Sequence, residues 1–552
     1  MTSLRRLVQM STAVLLLSPL SPLRSQEAPP EESFGESIEV SVVNLDVFVT
    51  DKKGNPVTGL QKEDFEVLED GKPVEIANFY AETGGPVASE AKEGAAPALP
   101  PPDQRLRLVV FVDDVNLGPR SRTQMLQRIG DFLRAQVSPG DEVMVVRMAE
   151  RLEVRLSFTS DLAPITTELT SLMSASNDLR KYAESREHAF DDLIRALELQ
   201  MGWGPLAEAR LRAWAEQEAG VVKGALAGLD TVVSWLAGVP GRRAILYVSD
   251  GLPLTPGDDL LTWASLRSGY RGSNRHMSGT TSTEYDLTRQ FREVTSHASR
   301  NRVAIYPLES YGARTSRGSL MQDVGAMNRQ MGLRFLASDT GGQALLNAAD
   351  PLVALKGLGT DMDSYYSLGY TPPRPGDDLE HKVEVRVKAK GVSVRHRPWY
   401  RDKPVSEAVA ERTLGVMRFG PEENPLEASL EIGEAKAQGE TMMVPVRVKV
   451  PLARLFLRPG EGKRSGRLRI YIVAGGEGST TPVRQTKLVT VDVPEAEAAA
   501  GPRRDYTHEI AIPLKQGSYW IGVGVRDELA AATSYLRREF VVAPAPGPKG
   551  PG

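Results

Sequence analysis

The chain has no cysteine among its 552 residues, which removes disulfide bridges, thiolate zinc sites, iron–sulfur clusters and thiol catalysis together. It has no excess of one charge either: 67 Lys and Arg stand against 71 Asp and Glu, a formal net charge of −4. That balance excludes a general electrostatic grip on nucleic acid or on an anionic membrane. Histidine is scarce, and His188, His276, His297, His381, His396 and His508 form no His-Glu-x-x-His or other close ligand pair; most of them are expected at the surface or in turns. No Gly-x-x-x-x-Gly-Lys phosphate loop and no Gly-x-Ser-x-Gly nucleophile turn occurs. After the first two dozen residues, no stretch reads as the run of about 20 apolar residues that a bilayer-spanning helix needs.

What is present begins with a segment that reads as a secretory signal. Arg5 and Arg6 give a positive start, residues 7–17 a short apolar stretch, and Pro19 and Pro22 end it. The stretch is too short to span a bilayer, so residues 1–25 are expected to be a cleaved signal peptide, with the mature chain starting between Leu23 and Ala28. An exported protein, periplasmic or extracellular, with no transmembrane segment after signal removal, is the expectation.

Hydrophobic residues at 41% and charged residues at 25% are near globular averages, and the length predicts several folded modules. Alternation at Ile38, Val40 and Val42, then at Leu45, Val47 and Val49, predicts a small sandwich-like β module over residues 38–80, with turns at 51–55 and at Asp70-Gly71. Residues 81–104, rich in Gly, Ala, Pro and Glu, read as a linker. Leu106 to Val112 is a nearly continuous apolar run, followed by helical spacing over 120–136 and a second run over 142–148. Strand, helix, strand in that order predicts a parallel sheet, whose strands are buried on both faces and lose polar alternation. With further strands at 243–249 and 302–308, and helices at 219–236 and 285–299, the expectation is a Rossmann-like, doubly wound, mostly parallel sheet over 105–346. A helical insertion near 174–218 carries Trp203 and Trp214, expected to pack within a helical hairpin. Thr340-Gly341-Gly342 reads as a helix C-cap followed by a strand. Residues 347–401 predict a β-rich extension, 413–542 an Ig-like C-terminal β-sandwich, and 543–552 a disordered tail. The fold class is therefore multidomain, α/β plus all-β.

Ligands of open parallel sheets bind beyond the carboxyl ends of the strands. Two strand ends here carry acids: one apolar run leads into Asp113-Asp114-Val115-Asn116, the other, Ile245 to Val248, into Ser249-Asp250-Gly251. Converging carboxylate and amide oxygens suit a hard cation such as Mg²⁺, and the same residues also serve as caps and turn formers. At these positions the chain resembles the von Willebrand factor type A (VWA) domain, and more narrowly the exported acidobacterial VWFA-related domain family. Val-Asn-Leu-Asp-Val-Phe-Val-Thr-Asp at 43–51, Gly-Leu-Gln-Lys-Glu-Asp-Phe at 59–65, Phe-Thr-Ser-Asp at 158–161, Tyr-Val-Ser-Asp-Gly at 247–251, Thr-Gly-Gly at 340–342 and Tyr-Tyr-Ser-Leu-Gly-Tyr-Thr-Pro at 365–372 carry the resemblance, in order along the chain.

The resemblance implies a VWA fold and a metal-ion-dependent adhesion site of pattern Asp-x-Ser-x-Ser, completed by a later Thr and Asp. Asp114 matches the first Asp and Asp250 the last, with Asp113 as the alternate if the strand ends one residue earlier. Asn116 and Gly118 stand at the two Ser positions, and no Gly-Gly-Thr is found in 186–197. The set Asp114, Asn116 and Asp250 is thus a degenerate form of that site, expected to hold no metal in the isolated protein. The functional expectation is a non-enzymatic protein that mediates protein-protein contact, adhesion or scaffolding at the cell envelope. The rival is an envelope-polymer enzyme using a carboxylate pair, for which no pair stands out at recognisable spacing.

Overall fold

Alternating apolar residues give a strand one buried face, and Val43, Leu45, Val47 and Val49 do so in β1 (Val43–Thr50). Strands β2 (Phe65–Glu69), β3 (Lys72–Val74) and β4 (Ile76–Thr83) follow. The structure, a computed structural model, describes residues 42–83, 105–117, 119–174, 179–199, 204–267, 284–309, 320–348, 350–401, 403–420, 423–439, 441–476, 482–495 and 504–543, all within the compact unit Glu39–Gly552. The expected signal peptide, the linker from residue 84, Gly118, Trp203 and the tail from 544 lie outside the described residues.

Next comes β5 (Leu106–Asp113), buried along its whole length. It is followed by α1 (Pro119–Gln136), β6 (Glu142–Met148), β7 (Leu152–Thr159), α2 (Leu162–Ser174), α3 (Leu179–Leu199) and α4 (Pro205–Leu236). Then come β8 (Arg242–Val248), α5 (Asp258–Arg267), α6 (Thr288–Arg300), β9 (Val303–Leu308), α7 (Leu320–Thr340) and α8 (Pro351–Asp363). Five of these strands form one sheet in the order β7-β6-β5-β8-β9. Its pairs are parallel except for β7, which runs antiparallel at one edge. Helices cover both faces. Leu126 and Ile129 of α1, Leu169 of α2 and Leu355 of α8 pack with Leu108 and Val110 on one side. Val222, Leu229 and Val233 of α4, Phe291 of α6 and Leu333 of α7 pack with Val109 and Phe111 on the other.

Two details differ from the sequence reading. The insertion does not end at residue 218, because α4 runs unbroken from Pro205 to Leu236. By length and composition α4 is also apolar enough to cross a bilayer, contrary to the expectation that no such stretch follows the first two dozen residues. In the fold it is a core helix whose Leu211, Trp214, Val222, Leu229 and Val232 are buried. At the end of α7, Gly341 takes a left-handed φ of 76° after Thr340, the conformation that lets a helix stop there.

Strands β10 (Ser364–Tyr370), β11 (Glu380–Val387), β12 (Ser393–Arg395) and β13 (Trp399–Arg401) then return to the first four. One sheet has the order β12-β1-β10-β4 and the other β13-β11-β2-β3. Leu45, Val47, Phe65, Tyr366, Leu368 and Val385 fill the space between them. The 38–80 module and the 347–401 extension, read as separate, are therefore halves of one sandwich with the α/β unit inserted between them. The first part of that extension is the helix α8.

Past residue 401 the chain forms α9 (Val405–Phe419), so the boundary expected at Thr413 falls inside a helix. Strands β14 (Ser429–Ile432), β15 (Lys436–Gln438), β16 (Thr441–Pro451), β17 (Arg458–Pro459), β18 (Lys463–Gly476), β19 (Val483–Pro494), β20 (Asp505–Leu514), β21 (Gly517–Asp527) and β22 (Ala532–Val542) make two further sheets. Val446, Val448, Ile470, Ile472, Val523 and Val525 lie in the core they share.

Candidate functional site

β5 and β8 are neighbours with Val112 opposite Val248, so the residues that follow each strand emerge side by side. Asp113 ends β5 and caps the 3-10 turn Asp114–Asn116, accepting from the Asn116 backbone N–H at 3.4 Å and from its side-chain Nδ2 at 2.8 Å. The Tyr247 hydroxyl donates to the same carboxylate, as does Ser249 Oγ at 3.3 Å. Asp113 is fully buried. Loss of water pushes its pKa up to about 6, against the opposing pull of the Tyr247 and Asn116 hydrogen bonds.

Asp114 points to a different set of partners. Its Oδ2 accepts from Arg122 Nη2 at 2.8 Å and from Arg147 Nε at 2.5 Å, while Oδ1 is buried with no hydrogen bond. Arg122 comes from the first turn of α1 and is 2% exposed; Arg147 is the next-to-last residue of β6 and also lies 3.6 Å from Glu153. Asn116 is buried, and its carbonyl accepts from the Asp250 backbone N–H at 2.7 Å.

The structure thus brings Asp113, Asp114, Asn116 and Asp250 to one place, as the strand-end argument requires. It also covers that place. α3 lies against the Asp114–Asn116 turn, and α7 lies on Gly251 and Leu252, with the Leu252 N–H donating to the Arg329 carbonyl at 3.1 Å. Gly251 has a φ of 124°, and a Cβ there would sit 2.4 Å from Arg329 Cβ, so only glycine allows this approach.

Sequence reasoning missed Arg122 and Arg147, and they change the chemistry. A hard divalent cation is held by six or so oxygen ligands, whereas here two guanidinium groups already sit on the Asp114 carboxylate. A 2+ ion about 4 Å from one guanidinium is repelled by roughly 8 kcal/mol at an effective dielectric of about 20. The donor set fits internal ion pairing, not a resident metal. Both arginines left a mark in the sequence: Arg147 interrupts the apolar run Val143 to Val146, and Arg122 stands at a helix N-terminus, where the dipole disfavours a cation.

A second polar group lies in the first sandwich. His381, 1% exposed, has Nδ1 at 2.9 Å from Asp70 Oδ2 and 3.8 Å from Glu69, and Nε2 at 3.0 Å from Asp377 Oδ1. Glu69, Asp70 and His381 are close enough to suggest a metal. Burial lowers the His381 pKa, but the hydrogen bonds to Asp377 and Asp70 outweigh it and the net shift is upward. Both ring nitrogens face carboxylates of Asp70 and Asp377, so the group ties β11 to the turn after β2.

No family model matches the chain, and no curated protein matches its sequence. Among solved structures, a von Willebrand factor type A protein from Catenulispora acidiphila is similar at 9% identity and a TM-score of 0.21, over 80% of this chain. The chain spans 66% of that protein, just under two thirds of its length.

Proposed function

We propose that this is an exported, non-enzymatic binding protein whose VWA-like, doubly wound α/β unit engages a protein partner at the strand-end face without a divalent cation. It acts as an adhesion or scaffolding unit of the cell envelope. The observation that carries this reading is the pairing of Asp114 with Arg122 and Arg147, which supplies internally the positive charge that a cation-dependent site takes from metal. On α7, the helix that lies on Gly251 and Leu252, Met327 and Met331 stand one turn apart and are 69% and 47% exposed, and flexible thioethers suit adaptable protein surfaces.

The reading is tested by a photo-crosslinking residue at Met331 in the native envelope, with and without EDTA, against the same residue at exposed Leu488 of β19. A discrete adduct from position 331 alone, formed equally in chelator, is the expected result. An adduct that chelator abolishes, or the same adduct from both positions, overturns it.

A further inference from the structure

A cavity of about 450 Å³ lies at the opposite end of the sheet from the candidate site, where the starts of β8 and β9 face β1 and β10 of the first sandwich. Its wall carries four arginines, Arg242, Arg243, Arg302 and Arg397, and among the described lining residues a single carboxylate, Asp46. Buried cations are ordinarily matched by carboxylates. Of the four, Arg397 is buried, Arg242 and Arg243 are half-buried, and the exposed Arg302 donates to the Val42 carbonyl at 3.2 Å; Arg242, Arg243 and Arg397 donate to neutral carbonyls. Arg397, 8% exposed, donates to the Ser299 carbonyl at 2.9 Å and the Asn44 carbonyl at 2.7 Å. Arg243 donates to the carbonyls of Leu236 and Ala237 at 3.2 and 3.0 Å. The Nε atoms of Arg243 and Arg397 are buried without a hydrogen bond. Arg242 has the carbonyls of Asp361 and Met362, the Tyr365 ring, and Asp46 at 3.7 Å.

Burial, with the charges of Arg302 and Arg397, lowers Arg243 to about 9. Burial and Arg302 lower Arg397 to about 10. Both therefore stay protonated at neutral pH, and the positive charge of Arg397 adds to the lowering at Arg243. Aromatic side chains of Phe48, Tyr306 and Tyr365 complete the wall, and the volume is that of a site for a small organic molecule.

We propose that this cavity binds a small organic oxyanion carrying two or more negative charges and an aromatic or apolar body. Planar guanidinium groups recognise phosphate and carboxylate alike, so the two sources of charge are separated by probe. Calorimetric titration of the full chain with phenyl phosphate and with phthalate, at ionic strength matched with chloride, reads the site directly. At least one probe should bind saturably at one site. Binding of one alone assigns the charged group, and binding of both assigns the charge and the ring. Arg302→Asn, which keeps a residue tolerant of the left-handed φ of 53° found there, should weaken binding roughly tenfold or more, the scale of one lost charged hydrogen bond. Asp46→Asn should strengthen it by removing the lone opposing carboxylate. No saturable binding of either probe at millimolar concentration overturns the proposal. So does equal weakening by Arg302→Asn and by Arg458→Gln at a remote exposed position, or no gain in Asp46→Asn.

Discussion

Arg122 occupies the first turn of α1, where the dipole disfavours a cation, and Asp114 at 2.8 Å offsets that cost. Removing one partner of such a buried pair typically costs about 3–5 kcal/mol, so the contact behaves as part of the fold. Asp113, one residue earlier, has a different character. Its folded pKa of about 6 stands above the ordinary 3.8 because burial penalises the charge. In the window between those values the unfolded chain ionises while the folded chain holds its proton. The stabilising contribution is therefore complete below the unfolded value and is lost as pH rises through the folded one, by about 3 kcal/mol in all. Asp113→Asn cannot ionise, and its carbonyl can still accept from Tyr247. Urea unfolding should show the variant gaining stability relative to the parent from about pH 4 to about pH 6, and no further gain above that; a pH-independent difference would contradict the assignment. The meeting of Asp113, Asn116 and Asp250 was legible in the sequence because parallel strands end together. The two arginines were not, because their contact with Asp114 depends on how α1 and β6 pack.

At the scale of elements, β21 shows how sequence pattern encodes two different neighbours. Ile521, Val523 and Val525 face the C-terminal core, while Gly522 and Gly524 face α9. An ideal Cβ on Gly522 would lie 2.6 Å from the Thr413 carbonyl oxygen, and one on Gly524 2.4 Å from Thr413 Oγ1. The alternation of β-branched residue and glycine is thus the footprint of a helix seated on the strand. α9 in turn packs Val409 and Val416 with Tyr471 and Tyr535, and Phe419 against Phe158 of the α/β unit at 5.1 Å. It was missed in the sequence although Val409, Val416 and Met417 have helical spacing, because the strand pattern that follows drew the boundary forward to Thr413. Gly524→Val should lift α9 off β21 at a cost of about 1–3 kcal/mol. Limited proteolysis should then cut within Val405–Phe419 faster than in the parent; unchanged resistance would show that the glycines are not needed for the seating.

At the scale of the whole molecule, β10 is held between β1 and β4 although 280 residues separate β4 from it. Alternation told which face of each strand is buried but not which strand lies beside it, since pairing partners are set by closure of the fold. That is why one sandwich read as two modules. If a specific protease site is placed between residues 84 and 104 and cut, the two pieces should elute together from a native sizing column and part only in denaturant; separation without denaturant would restore the independent N-terminal module. In the inserted α/β unit Asp114 is paired with the protein's own Arg122 and Arg147, and Asp113 is held by Tyr247, Ser249 and Asn116, so no metal is expected at the strand ends. Calorimetric titration of the full chain with MgCl₂ and MnCl₂ near neutral pH tests this most directly. No saturable heat is expected for the parent at millimolar metal, whereas submillimolar binding that disappears in Asp250→Ala would contradict the pairing and make the site cation-dependent.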